Sequence, residues 1–101
     1  MGLPLIVGEF GIMHGGDSIT EQTAIPYLTI IEQCHLNEIG WLAWSWGPRN
    51  ALIYWDMTKD GTFETLNGWG IEVAITNKYS IKNTSVRPYF IVNKECKSAS
   101  E

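Results

Sequence analysis

Leu3-Pro4-Leu5-Ile6-Val7-Gly8-Glu9-Phe10-Gly11 stands near the start of this 101-residue sequence, and the fold turns on how it is read. Leu3 to Gly8 is a short, continuous apolar run. A strand of that kind is covered on both faces, as in a parallel sheet. Gly8, Gly11, Gly15 and Gly16 then mark a loop. The next stretch predicts a helix over about Ala24 to Asn37, with Ala24, Tyr27, Leu28, Ile31 and Cys34 as its apolar stripe. Thr23 is the expected N-cap, with Pro26 in the first turn; Ser18 with Glu21 is an alternative capping box that would put Pro26 in the helix interior, and Gly40 lies just past the end. Gly40-Trp41-Leu42-Ala43-Trp44-Ser45-Trp46 reads as a second buried strand. A loop from Gly47 to about Gly61 follows it. A second helix is expected over about Phe63 to Ala74, carrying Phe63, Leu66, Trp69, Ile71 and Val73. The remainder is polar and irregular, with Arg87 to Val92 as an extended piece.

Strand, helix, strand, helix is the signature of an α/β protein with a parallel sheet. Two parallel strands leave both edges open and bury little, so this unit calls for further strands beside it. A complete (β/α)8 barrel takes about 250 residues. The chain is therefore expected to be part of a longer protein.

Composition narrows the function classes. Hydrophobic residues make up 45% of the chain and charged residues 18%, with a net charge of -4. An acidic chain offers no basic patch for nucleic acid or an anionic membrane, so neither partner is expected. No apolar run reaches the roughly 20 residues of a membrane span. Met1 to Gly8 carries no basic segment or cleavage site of a signal peptide. Cys34 and Cys96 show no metal-ligand spacing. Cys34 reads as a small buried hydrophobe, while a Cys34–Cys96 disulfide stays open. With His14 and His35 as the two histidines, neither a zinc site nor a Ser/His/Asp triad finds partners, and no metal is expected.

Glu9 is the sharpest chemical signal. Side chains alternate along a strand, which would put Leu5, Val7 and Glu9 on one face. If Leu5 and Val7 fill a barrel interior, Glu9 points inward at the carboxyl-end rim, where such barrels place catalysis. The alternative is a charge that marks the strand's exit into solvent. Five tryptophans are either dense core or a platform for a flat sugar face. On the second strand Leu42, Trp44 and Trp46 share a face, which brings Trp44 to the rim beside Glu9. Trp41, on the other face, reads as core. Arg49 and Asn50 can hydrogen-bond sugar hydroxyls or form a solvated turn. His14 lies in the loop after Glu9, within reach of a substrate there. Asn83-Thr84-Ser85 fits a glycosylation acceptor.

Leu3 to Gly11 resembles the seventh-strand motif of glycoside hydrolase family five, whose Glu is the nucleophile. Gly40 to Trp46 is similar to the eighth strand of that family's bacterial mannanases. Asp56-Met57-Thr58 and Trp69-Gly70 resemble their last loop and helix. The resemblance runs from about Leu3 to Pro88. It implies the last two βα units of a TIM (β/α)8 barrel over residues 1–88, incomplete as a stand-alone barrel, with 89–101 as a tail. It also implies retaining hydrolysis of a β-1,4-linked polysaccharide, mannan ahead of cellulose, by a secreted full-length enzyme without cofactor. Glu9 would be the nucleophile and Trp44 the floor of the subsite where the bond breaks; by position, Trp46, Arg49, Asn50 and His14 are further candidate substrate contacts.

The chain departs from the family at one decisive place. A retaining glycosidase needs two carboxyl groups about 5–5.5 Å apart. The family's acid/base Glu follows an Asn on the fourth strand, and no matching Asn-Glu-Pro occurs here. Asn37-Glu38 sits at a helix end on the wrong side of a barrel. The Arg, His and Tyr that surround the family's nucleophile lie upstream of the matching region. Asp56 is expected to brace its loop, and Asp17 to be solvated or near a helix start. The isolated chain is therefore expected to be inactive. The competing expectation is a truncated remnant, or a module that binds sugar without cleaving it.

Overall fold

The computed structural model describes residues 2–14, 18–48 and 55–92. Strand β1 spans Ile6–Phe10, helix α1 Tyr27–Leu36 and strand β2 Gly40–Ala43. A 3-10 turn, Phe63–Thr65, leads to α2, Trp69–Ile71, which continues as a π-helical turn, Glu72–Thr76. Two short helices follow, α3 over Ile81–Thr84 and α4 over Tyr89–Val92.

The expected first βαβ unit is present. β1 and β2 pair in parallel as a two-stranded sheet, with Ile6 opposite Gly40, Val7 opposite Trp41 and Phe10 opposite Ala43. Three residues of β1 thus span what two residues of β2 span. Gly8 and Glu9 together stand against Leu42, a β-bulge at the end of β1. Val7, Trp41 and Ala43 pack on the core, and Phe10 is buried in it. Trp41 meets Phe10 edge-on, with ring centroids 5.6 Å apart. The opposite face is open: Ile6 is 62% exposed and Leu42 55%.

Helix α1 begins later than its apolar pattern predicts. Residues 23–25 are committed elsewhere: His14 N–H donates to Thr23 O and Ile25 N–H to Ile12 O, an antiparallel bridge to the loop after β1. Thr23 is not the cap. Its hydroxyl donates to Ser18 O and accepts from Thr20 N–H. Pro26 takes the N-cap position instead, with no side-chain cap. The helix ends at Leu36 with Asn37 as C-cap, and Glu38 just beyond adopts φ 55. Glu38 N–H donates to His35 O and Ile39 N–H to Cys34 O, satisfying the last carbonyls. Gly40, past the helix end as expected, is the first residue of β2. Ile31 and Cys34 are the buried members of the stripe.

The second helix is broken where the sequence pattern runs through. Lys59 N–H donates to Thr65 O and Asn67 N–H to Met57 O, so residues 65–67 pair with the 57–59 segment in extended form. Helix resumes only at Trp69, after Gly68 at φ 47. Phe63 and Ile71 are consequently exposed, while Trp69, Val73 and Ala74 enter the core with Ile31 and Met57. The region after residue 75 is more ordered than its polarity suggests. Ser80, fully buried, donates its hydroxyl to Ile75 O and caps α3 by accepting from Asn83 N–H. Residues 89–92 are helical, not extended. Among the described residues no helix is long and apolar enough to cross a membrane.

Candidate functional site at the carboxyl ends of the two strands

Glu9 is exposed as the penultimate residue of β1, and Trp44 directly follows β2. Trp44 N–H donates to Phe10 O at 2.6 Å, extending the parallel ladder by one bond beyond Ala43. Both residues line one hollow of about 250 Å³, together with His14 and Trp55; Phe10 and Met13 form its buried base. Gly11 lets the two rims approach: a Cβ there would lie 2.9 Å from Trp44 O.

The alternation argument needs correction on one point. Val7 packs toward the core, not into an open interior, so Glu9 does not share its face. The bulge changes the phase of the strand. Phe10 returns to the core side, and Glu9, immediately before it, is left on the open side with Leu42 and Trp44.

After Trp44 the chain leaves the sheet. Gly40–Trp46 is not one strand; β2 stops at Ala43. Residues 45 and 46 are fastened instead to the 55–61 segment. Ser45 N–H donates to Trp55 O, Met57 N–H to Ser45 O, and Thr58 N–H to Trp46 O. The Ser45 hydroxyl donates to Asp56 Oδ1 at 2.8 Å, and Asp56 is only 4% exposed. Asp56 therefore braces its loop, as its position suggests. Farther out, the Asp60 carboxylate accepts from the Thr65 hydroxyl and from the hydroxyl and N–H of Thr62. These bonds hold it below the usual carboxylate range.

The predicted site residues divide accordingly. Glu9, Trp44 and His14 come together. Trp46 does not join the hollow: its indole N–H donates to Gly61 O at 2.6 Å. Arg49 and Asn50 lie outside the described residues, as do Asp17 and Cys96. Cys34 is buried as a free thiol. Trp55 lines the hollow although the sequence singled out no residue there for it; the available signal was a large apolar residue beside Asp56 in a loop. Among the described residues, no group of three or more His, Cys, Asp or Glu is placed to hold a metal. A second hollow, of about 490 Å³, lies at the other end of β2 beside Ile39, Gly40 and Cys34, away from Glu9.

A carboxylate and an indole at the carboxyl ends of adjacent parallel strands define a site of the α/β class, in which ligands meet the sheet at that end. The relatives sharpen the class. Mannan endo-1,4-beta-mannosidase from Salipaludibacillus agaradhaerens is 35% identical over 69 residues, 67% of this chain and 20% of that protein. The enzyme of the same name from Cellvibrio japonicus strain Ueda107 is 33% identical over 86 residues, covering 84% and 18%. That from Streptomyces lividans is 33% identical over 70 residues, covering 68% and 17%. In three dimensions, the chain matches a beta-mannanase from Streptomyces thermolilacinus solved with mannohexaose. The TM-score is 0.69 at 26% identity, over 97% of this chain and 29% of that one. No protein-family model matches. The chain is thus similar to one part of mannanase-like glycoside hydrolases. It spans 17–20% of the length of these curated relatives.

Proposed function

We propose that this chain is the nucleophile-bearing part of a retaining endo-β-1,4-mannanase, formed by the last two βα units of a family-five barrel over residues 1–88. The observation that carries this reading is the meeting of Glu9 and Trp44 in one hollow at the carboxyl ends of β1 and β2. Glu9 attacks the anomeric carbon and forms a glycosyl-enzyme ester; water then releases the sugar with net retention. Trp44, 38% exposed, offers an indole face to the pyranose ring. The partner is a mannan chain or its oligosaccharides, and so polymeric a substrate points to a secreted enzyme.

Protonation of the leaving oxygen needs a second carboxyl group about 5–5.5 Å from the first. Among the described residues lining the hollow, Glu9 is the one carboxylate, and Asp56 is buried against Ser45. The acid/base group must come from outside the described residues. That same observation favours a second reading: a non-catalytic remnant or sugar-binding module.

The test of the first reading is Glu9→Gln in the complete enzyme. Mannan hydrolysis falls by several orders of magnitude while mannohexaose still binds, because Glu9 is exposed and its loss costs the fold little. Retention of most activity refutes the assignment. For the second reading, mannohexaose is titrated into the 101-residue chain and tryptophan emission is followed. Saturable quenching without hydrolysis supports binding alone.

A further inference from the structure

Trp46 is 41% exposed, yet its side chain is held in place. Its indole N–H donates to Gly61 O at 2.6 Å. Its carbonyl accepts from Thr58 N–H and from the Thr58 hydroxyl. The same hydroxyl accepts from Gly61 N–H. Trp46, Thr58 and Gly61 thus close a ring of hydrogen bonds around Thr58, which is 1% exposed. Two glycines make room for this closure. A Cβ on Gly47, at φ 92, would lie 2.9 Å from Asp56 Cβ, and one on Gly61, at φ 90, would lie 3.3 Å from Gly47 O.

An indole has one polar atom, its N–H. In Trp46 that atom is already satisfied, so what the side chain offers to solvent is its apolar ring. Core packing does not account for the arrangement, because Trp46 is not among the residues that pack on the core. An apolar ring fixed at the surface has lost rotamer freedom without the gain of full burial. Contact with a flat apolar ligand face would supply that burial. The position fits the same substrate. Trp44 and Trp46 both follow the carboxyl end of β2, with Cα atoms no more than about 7.6 Å apart. Trp44 lines the hollow that holds Glu9, and Trp46 stands outside it. A polymer that lays one hexopyranose on Trp44 leaves the hollow on either side, and its neighbouring units pass over the residues beyond.

We propose that Trp46 is a second, fixed sugar platform. It takes a hexopyranose of the same β-1,4-linked chain that stacks on Trp44, away from the bond that breaks. This inference rests on the reading of the hollow as the place of cleavage. The sugar on Trp46 does not change in the transition state, so the platform binds ground state and transition state alike. It therefore acts on KM and not on kcat. Trp44, beneath the reacting ring, acts on kcat.

The experiment compares steady-state kinetics on mannohexaose for the complete enzyme and its Trp46→Ala, Trp46→Phe, Trp44→Ala and Glu9→Gln variants. Trp46→Ala should raise KM about tenfold, the effect of losing about 55 Å² of apolar contact at about 25 cal/mol per Å². Its kcat should stay within about twofold of the parent, as uniform binding requires. Trp46→Phe gives up the bond to Gly61 but keeps a stacking face, so its KM should stay within about threefold of the parent. An unchanged KM in Trp46→Ala overturns the inference. So does a fall in kcat in Trp46→Ala, which would place the ring at the reacting sugar or in the support of the fold. Equal impairment of Trp46→Phe and Trp46→Ala overturns it as well, because the bond to Gly61 would then matter and not the ring face. If Trp44→Ala and Glu9→Gln are impaired while Trp46→Ala is not, this inference falls and the reading of the hollow stands. If Trp44→Ala and Glu9→Gln keep the parent's kinetics, the reading of the hollow falls and this inference falls with it.

Discussion

Gly70 is the position where the packing allows least. A Cβ built there would lie 2.3 Å from Met57 O, 2.6 Å from Met57 Cα and 2.7 Å from Met57 Cβ. These are mostly backbone atoms, which cannot rotate aside. To bring the closest of them to an ordinary contact, α2 and the 55–61 segment must part by about 1 Å. Met57 is 3% exposed and hydrogen-bonds in both directions: its N–H to Ser45 O, its carbonyl from Asn67 N–H. Gly70→Ala therefore combines overpacking, about 1–3 kcal/mol, with the weakening of two hydrogen bonds at about 0.5–1.5 kcal/mol each. The expected loss is about 2–6 kcal/mol. Gly68 supplies the control. Its Cβ would meet nothing within 4 Å, but its φ of 47 with ψ of -129 is a conformation that glycine alone adopts readily, so Gly68→Ala carries only a backbone penalty of about 1–3 kcal/mol. Urea unfolding followed by tryptophan emission measures both. With a slope of about 1–1.5 kcal/mol/M for a chain of this size, Gly70→Ala lowers the midpoint by at least about 1.3 M, or leaves no folded baseline. Because Met57 is two residues from Trp55, sugar binding at the hollow should fail with it. A Gly70→Ala chain within about 0.5 kcal/mol of the parent, or one no less stable than Gly68→Ala, would refute this account of how the site is supported.

Two further outcomes follow from single side chains. Ser45→Ala takes a hydroxyl from the buried Asp56 carboxylate, so stability drops by about 1.5–3 kcal/mol, while Ser45→Thr retains most of it; urea midpoints for the pair decide. Burial, with the hydrogen bond to Glu72 and its negative charge added, pushes the Tyr27 phenol from 10.0 up to about 12. The folded state thus favours the neutral phenol, and its contribution is fully present below pH 10.0 and lost as the pH rises toward about 12. Stability measured across that window should fall more steeply for the parent than for Tyr27→Phe, and parallel curves would count against the assignment.

What the sequence made legible follows from which interactions are local. The strand–helix–strand order and the stripe through Tyr27, Leu28, Ile31 and Cys34 were readable because period and burial agree within one element. Element ends were not, because long-range pairing sets them. Residues 23–25 look helical but bond to residues 12–14, and residues 65–67 look helical but bond to 57–59. Trp46 shares a strand face with Trp44 only if β2 continues. Once Ser45 is drawn off by Asp56 and Trp55, Trp46 turns to Gly61 instead. Trp55 was unreadable for the same reason: its place beside Glu9 is created by bonds from Ser45 ten residues earlier in the chain.

Glu9 shows how a correct placement can come from an incomplete premise. Strict alternation puts Glu9 with Val7, and Val7 packs on the core, so a regular strand would bury the carboxylate against α1. Ionised and unpaired there, it would be strongly disfavoured. The extra residue between Val7 and Phe10 removes the conflict. Val7 and Phe10 both keep the core face against Trp41 and Ala43, while Gly8 and Glu9 share the space opposite Leu42. Gly8 is not demanded by sterics, since a Cβ there would meet nothing within 4 Å and its φ is not left-handed. What fixes the bulge is apolar burial on either side of it: Val7 before, Phe10 after, each held by its partner on β2. The direction of Glu9 is therefore encoded by its neighbours' need for the core, and the charged residue takes one of the two positions that the apolar ones leave open to solvent.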